Sequence, residues 1–329
     1  MAPLRHLSAA EVMTAMPPLD ERINLAELTM RALGHEAELP PKIGVHPRRP
    51  GSLAQAMPAL LRGDAADGSK DLIGAKWIAG FPDNPGRGLA TYHALVLLND
   101  AVTGEPLAIM DGGMITAQRT AAVSGAAIRH FRSGAAGGSA PRVAILGAGA
   151  QARSHLPVIG RLLAGAEIRV TDVYPDRAAT LVAEAIEVDG IGAAAALASV
   201  REAVESADIV ISTVSFGPVR QTLDPAWLGR DVLFVAVDYD MQAPAALARD
   251  AFFVVDERDQ FKATRSGSTF AGYPDPEATI GELLRGTAPD RSGGPLLVTH
   301  LGVGLADVVF ASAILARAEL LGLGRLLPR

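Results

Sequence analysis

The sequence predicts an α/β protein in two parts, a doubly wound domain built on a parallel sheet and a mixed α+β domain ahead of it. Three observations carry this reading. From residue 142 onward, short Val/Ile/Leu runs alternate with helix-length stretches: RVAILG, AQARSHLPVIGRLLA, EIRVTD, DRAATLVAEAI, DIVISTV and LFVAVDYD. Buried parallel strands linked by crossover helices produce this alternation. A glycine turn, GAGAQA, joins the first such run to the first such helix. The first third carries strands and helices without that alternation, and 329 residues suit about two domains.

Along the chain, SAAE at Ser8–Glu11 is a capping box, in which hydroxyl and carboxylate satisfy the free amides of a helix start. A second helix over about 20–33 shows apolar Ile23, Leu25, Leu28 and Met30. Five prolines and two glycines between Pro40 and Pro58 favour extended segments and turns. AKWIAGF (75–81) and YHALVLLND (92–100) read as strands, and AVTGEP turns into a further strand, LAIMDG. A helix rich in small residues follows from Met114, then a polar glycine-laden linker, RSGAAGGSAP. The tail LADVVFASAILARAELLGL has helical periodicity and packs against another domain or subunit.

Composition narrows the function. With 49% hydrophobic and 20% charged residues the chain is globular, and a net charge of −6 without a Lys/Arg cluster speaks against a nucleic-acid partner. Zero cysteines exclude disulfides, thiol nucleophiles and thiolate metal sites. The seven histidines have no metal-ligand spacing, so no metal is expected. No signal-peptide core and no uncharged apolar run of about 18 residues occurs, so the expectation is a cytoplasmic protein off the membrane. No serine has a nucleophile-elbow context.

Gly147, Gly149 and Ala152 fit G-x-G-x-x-G/A. The first glycine permits the tight turn, the second lets backbone approach a pyrophosphate, and the small third residue lets the helix pack on the strand. The amides of Ala150, Gln151 and Ala152 then face the phosphates. Asp172 ends the next strand, 25 residues after Gly147, where a carboxylate can bond both ribose hydroxyls. The predicted fold is therefore a Rossmann-type nucleotide-binding domain. An acid at 172 repels the extra phosphate of NADP, so NAD is the expected cofactor. Arg177 reads as a solvated helix-start residue, and His155 as a packed or capping one.

Lys42, Lys76 and Arg119 lie near turns or strand ends. Lys76 stands in the apolar strand IGAKWIAGF and needs an anion or carboxylate partner, because an unpaired buried charge is costly. Arg119 sits among small residues in TAQRTAAVSGAA. Together the three can clamp a carboxylate, Arg119 in bidentate fashion. Asp240 and Asp238, in VAVDYDMQAP, follow a strand of the doubly wound domain. In an extended chain both face the same side, at the strand end where such folds bind ligands. Trp77 and Phe81 are expected to pack the first domain, and His93 and His300 to be structural.

The chain resembles the ornithine cyclodeaminase/mu-crystallin family over nearly its full length, through AMPALL, AKWIAGFPDNPGRGLATYHALVLLND, GEPLAIMDGGMITAQRTAA, GAGAQARSHL and HLGVGLADV. The resemblance implies that Lys42, Lys76 and Arg119 hold the α-carboxylate of an amino acid. It implies that Thr91 lies by the nicotinamide, that Leu301 and Gly302 pass close to it, and that Thr120 completes the cofactor set. It makes Asp240 the catalytic aspartate, with Lys76 binding carboxylate and polarising an imine. Two departures stand out: Gln55 replaces the glutamate that ornithine cyclodeaminases carry two residues before Met-Pro, and MQAP replaces Pro-Gly-Lys after the aspartate. Asp238 is a substrate-binding candidate that can supply the missing negative charge.

The implied organisation is a substrate-binding and dimerisation domain over 1–118, a nucleotide-binding domain over 119–303, and a C-terminal helix, 304–329, returning to the first. A homodimer acting on a small amino or imino acid is expected. Ornithine cyclodeamination to proline and ammonia is the most specific expectation. A ketimine reductase or amino-acid dehydrogenase is the alternative enzyme, and a dinucleotide-dependent binding protein like mu-crystallin the alternative of another class.

Overall fold

The computed structural model describes residues 3–132, 140–265, 269–291 and 293–328; most of the RSGAAGGSAP linker, 133–139, lies outside them. The chain divides into two compact units, Met1–Arg119 with Gly302–Arg329, and Thr120–Leu301.

The first unit opens with β1 (Leu4–Leu7), α1 (Ala9–Thr14) and α2 (Leu19–Ala32). Ser8 caps α1 with Glu11 as a reciprocal capping box, as the SAAE pattern requires. Then come β2 (Ala37–Glu38), β3 (Ile43–Val45), β4 (Leu53–Leu61), β5 (Leu72–Gly80), β6 (Tyr92–Asn99) and β7 (Pro106–Asp111). After these, α3 (Gly112–Phe131) carries the chain across the division between units.

The second unit continues with β8 (Arg142–Leu146), α4 (Ala150–Leu162), β9 (Ala166–Thr171), α5 (Pro175–Ile186), β10 (Ile191–Ala196), α6 (Val200–Val204), β11 (Ile209–Ser212) and β12 (Leu233–Ala236). It ends with α7 (Ala245–Asp250), β13 (Phe252–Val255), α8 (Arg258–Arg265), β14 (Ala278–Thr279), α9 (Ile280–Arg285) and β15 (Leu296–Thr299). The chain returns to the first unit through α10 (Gly304–Leu320) and β16 (Arg325–Leu327).

In the first unit the sheet order is β16-β1-β7-β6-β5-β4-β2, with β3 also paired to β4. Met57, Lys76, Val96 and Met110 are cross-strand partners and so share one face, which α10 covers. All four are buried, Val96 and Met110 completely. The opposite face carries Ile73, Trp77 and Leu95, each at least 39% exposed. Trp77 therefore does not pack this unit's core: the period-2 geometry that turns Lys76 inward turns its neighbour outward.

The second unit's eight strands are all parallel, in the order β10-β9-β8-β11-β12-β15-β13-β14. Strand order reverses between β8 and β11, which creates the crevice where doubly wound folds bind ligands. The central strands β8, β11, β12 and β15 are apolar except at their ends, Arg142, Ser212 and Thr299, and almost wholly buried, as a sheet covered on both faces demands. On one face Phe234 and Phe253 of the sheet cluster with Phe261, Phe270 and Tyr273.

Candidate active site

The glycine turn is built as the sequence requires. Gly147 has φ +90, and a Cβ there would stand 3.0 Å from the backbone of Thr213 and Val214, so only glycine fits. Gly149 is the N-cap of α4 and offers no side-chain cap, leaving the amides of Ala150, Gln151 and Ala152 without the usual partner. Nothing lies within 4 Å of a Cβ built on Gly149, whereas Ala152 is fully buried against the sheet. Asp172 follows β9 directly. Its Oδ2 accepts the Ala148 amide at 2.7 Å and its Oδ1 the Tyr174 amide at 2.8 Å, which fixes the carboxylate beside the turn. Arg177 stacks on Tyr174 at 4.4 Å, at the start of α5. Open space at Gly149, an uncapped helix start and a fixed acid after the second strand fit a dinucleotide.

A buried chain of polar groups supports that turn. His155 on α4 bonds through Nδ1 to the Gln151 carbonyl at 2.6 Å and through Nε2 to Ser124 Oγ of α3 at 2.8 Å. Burial pushes the imidazole down to about 4, only partly opposed by the Gln151 bond, so it is neutral. A carbonyl can only accept, so Nδ1 carries the proton and Nε2 accepts from the Ser124 hydroxyl. Ser124 is also 2.9 Å from Nε2 of His300, just after β15. His155 and His300 thus have structural roles in the second unit. Thr120, one turn before Ser124 on α3, is also buried.

In the first unit, Lys76 and Arg119 are 1% and 5% exposed, and one carboxylate serves both. Asp307, fully buried on α10, places Oδ2 2.6 Å from Lys76 Nζ and Oδ1 3.2 Å from Arg119 Nε. Lys76 also reaches Thr116 Oγ1 at 3.5 Å. Two basic groups against one carboxylate leave a surplus of one positive charge whenever Lys76 is protonated. Burial pushes Lys76 down to about 7; Asp307 opposes the shift, while Arg119 and Lys42 add to it. Lys42 is half-buried just before β3. Gln55 lies on β4, on the same face as Met57 and Lys76 by register, and packs beside Gly44. Thr91 precedes β6, and its carbonyl accepts the Phe81 amide at 2.8 Å. Leu301 ends the second unit, and Gly302 opens the return with φ +80. A Cβ on Gly302 would come within 2.6 Å of Arg119 Nη1, so the bare backbone makes room for the guanidinium.

Sequence reading missed Asp307. The signal was available: a lone carboxylate in the apolar helix LADVVFASAIL, in a chain with a buried lysine that needs a counter-charge.

The two acids after β12 do not face one side. Tyr239 between them has φ +65, and the Met241 amide donates to the Asp238 carbonyl at 3.3 Å, so the chain turns instead of running extended. Asp238 accepts the Ser212 hydroxyl and, at 3.1 Å, the Val214 amide. Asp240 instead takes Arg220 Nη1 at 2.5 Å and the Phe270 amide at 2.8 Å. Among the described residues no group of three or more His, Asp and Glu is placed to hold a metal. No described helix is long and apolar enough to cross a membrane.

The parallel sheet with its reversal point, bare glycine turn and fixed acid define a protein with a Rossmann-type nucleotide-binding fold, joined to a mixed α+β unit with a buried, carboxylate-deficient cation pair. The ornithine cyclodeaminase/mu-crystallin family model matches residues 6–320, and the chain belongs to that family. It is 29% identical to the nodulation efficiency protein NfeD of Rhizobium meliloti, covering 98% of each chain. It is 30% identical to an alanine dehydrogenase of Archaeoglobus fulgidus over 94% of this chain and 93% of that one. An archaeal alanine dehydrogenase dimer solved with bound NAD superposes with a TM-score of 0.82 at 26% identity, covering 99% of both chains.

Proposed function

We propose that the protein is an NAD-dependent enzyme that acts by hydride transfer at the α-carbon of a small amino or imino acid, with net oxidation or reduction. The observation that carries this reading is the charge surplus at Lys76, Arg119 and Asp307. A buried site holding two cations and one carboxylate is balanced by one further carboxylate. Arg119 retains the guanidinium edge that can take it in a bidentate pair. Arrival of the anion restores the proton on Lys76, whose ammonium then polarises the neighbouring C–N centre. The nicotinamide, when bound, supplies or accepts the hydride. Burial keeps water from both cations, which strengthens each contact made there.

Gly147, Gly149, the amides of Ala150, Gln151 and Ala152, and Asp172 are the proposed dinucleotide ligands of the second unit, with Thr120 and Leu301 beside them. Asp172 supports NAD over NADP, since Arg177 stacks on Tyr174 and a carboxylate occupies the place a 2′-phosphate needs.

Ornithine cyclodeamination is the second reading, and two observations weaken it. Gln55 offers no charge to a distal ammonium, and Asp240 is neutralised by Arg220. A homodimer through the exposed sheet face of Ile73, Trp77 and Leu95 is the proposed assembly, in keeping with the dimeric archaeal relative. Trp77→Glu is then expected to give monomers by light scattering.

The test is product analysis by mass spectrometry with NADH absorbance followed in parallel. NAD is offered with a panel of amino acids including ornithine, and NADH with pyruvate plus ammonia or with cyclic imino acids. Stoichiometric NADH change with one substrate supports the proposal. Proline and ammonia from ornithine without lasting NADH would replace it with cyclodeamination. Dinucleotide binding without turnover of any substrate would leave a binding protein.

A further inference from the structure

The family resemblance gives Asp307 no role, yet it is the counter-charge of the two buried basic groups of the first unit. It stands in the first turn of α10, whose N-cap, Val303, offers no side chain to the free amides, so the helix dipole favours a negative charge there. Gly304 brings that turn onto the sheet. A Cβ on it would lie 2.6 Å from the Met57 carbonyl oxygen, and Met57 is the cross-strand partner of Lys76. This close approach delivers Asp307 Oδ2 to 2.6 Å from Lys76 Nζ and Oδ1 to 3.2 Å from Arg119 Nε, with all three side chains buried. Lys76, Arg119, Gly304 and Asp307 belong to the same unit.

The charges decide what this carboxylate does. The groups that act on Lys76 are Asp307 from α10, Arg119 from α3 and Lys42 from the segment before β3, with the Thr116 hydroxyl of α3 at 3.5 Å. A guanidinium stays charged in proteins. Asp307 therefore cancels Arg119, and with Lys76 unprotonated the trio is neutral. A substrate carboxylate joining it alone would leave a net negative charge out of water, which is costly. One proton taken up by Lys76 restores neutrality, since Lys76 and Arg119 then face Asp307 and the substrate. With asparagine at 307 the balance changes, because Arg119 alone already offsets an entering carboxylate.

We propose that Asp307 is a positioning residue that makes binding of the substrate carboxylate proton-coupled: it neutralises Arg119, so each carboxylate bound brings one proton onto Lys76 Nζ. The proposal rests on the carboxylate site of the reading above. The proton comes from solvent and adds to the lone pair of the Lys76 amine, and no bond of the substrate changes in this step. Burial holds Lys76 down to about 7 against the pull of Asp307, so at and above neutral pH a proton is there to be gained. Carboxylate affinity then falls about tenfold per pH unit above 7 and is level below it.

The experiment is a ¹³C NMR titration of the full chain labelled at lysine Cε, alone and with propionate as the carboxylate probe. The chain has four lysines, Lys42, Lys70, Lys76 and Lys262, so one signal is readily assigned by its loss in Lys76→Met. That signal is expected to titrate near neutrality, and propionate to raise its midpoint by about one unit or more. In Asp307→Asn the midpoint without propionate falls by about one unit or more, and propionate affinity loses its dependence on pH. If Asp307→Asn does not fold, Gly304→Ala, whose methyl lifts Asp307 off Lys76, lowers the midpoint and flattens the dependence in the same direction. With a substrate in hand, the alkaline limb lies in KM and not in kcat for the wild type, and Asp307→Asn removes it. A propionate shift in the wild type with the same pH dependence in both variants overturns the proposal and leaves the carboxylate site standing. No response of the Lys76 signal to propionate or to any amino or imino acid overturns the carboxylate site and the proposal with it.

Discussion

Asp307 holds Lys76 at 2.6 Å through one carboxylate oxygen and Arg119 at 3.2 Å through the other, so a single acid on α10 keeps two buried cations of the sheet and of α3 together. Removing it leaves two like charges out of water. Asp307→Asn is expected to cost about 3–5 kcal/mol in urea unfolding, the range for breaking a buried pair. Lys76→Met leaves Arg119 and Asp307 balanced, so it is expected to cost far less stability while raising KM for the carboxylate substrate at least tenfold. Equal stability losses in the two variants would show that the pairs are not energetically linked.

The glycine turn, the alternation of strand and helix and the second-strand acid were legible because each rests on local chemistry: a positive φ, apolar runs, a carboxylate at a fixed offset. Long-range partners were not. Asp307 is 231 residues from Lys76, and nothing in LADVV says which charge it meets. Nor was β10 legible, since Ile191–Ala196 is mostly alanine, without the β-branched residues that mark a strand. The left-handed Tyr239 had no glycine to announce it, so VDYD read as extended and the two acids as neighbours on one face.

His155 gives a stability signature with a definite sign. Its folded value, about 4, lies below the ordinary 6.5, so folding favours the neutral ring. Its contribution is complete above pH 6.5 and is lost as pH falls from 6.5 toward 4. The loss amounts to about 3 kcal/mol by linkage. Urea midpoints of the wild type should fall over that window. His155→Gln, which cannot protonate there, should flatten this part of the slope while lowering stability at pH 7.5. An unchanged slope would mean that the His155 ring is not held neutral.

Asp172 has two tasks that one substitution separates. It fixes the turn through the Ala148 and Tyr174 amides, and it is the proposed acceptor for the adenosine ribose. Asp172→Ala is expected to weaken NAD about 10- to 100-fold, the worth of charge-assisted hydrogen bonds, and NADP much less. Calorimetric titration with both dinucleotides reads the difference. Equal losses would mean that the carboxylate serves only the turn.

Gly302 links backbone conformation to the cation pair. Its φ of +80 disfavours any side chain, and a Cβ would stand 2.6 Å from Arg119 Nη1, inside contact distance. Alanine there costs about 1 kcal/mol in backbone strain and must push the guanidinium aside. Arg119 is tied to Asp307 through Nε, so the Nη end of the guanidinium can yield, at the expense of the bidentate edge offered to a carboxylate. Gly302→Ala is therefore expected to raise KM for the amino or imino acid at least tenfold, with modest loss of stability. The glycine turn is untouched, so the Kd for NAD should change far less. A variant that loses NAD binding and keeps substrate KM would assign Gly302 to the nicotinamide instead of to Arg119.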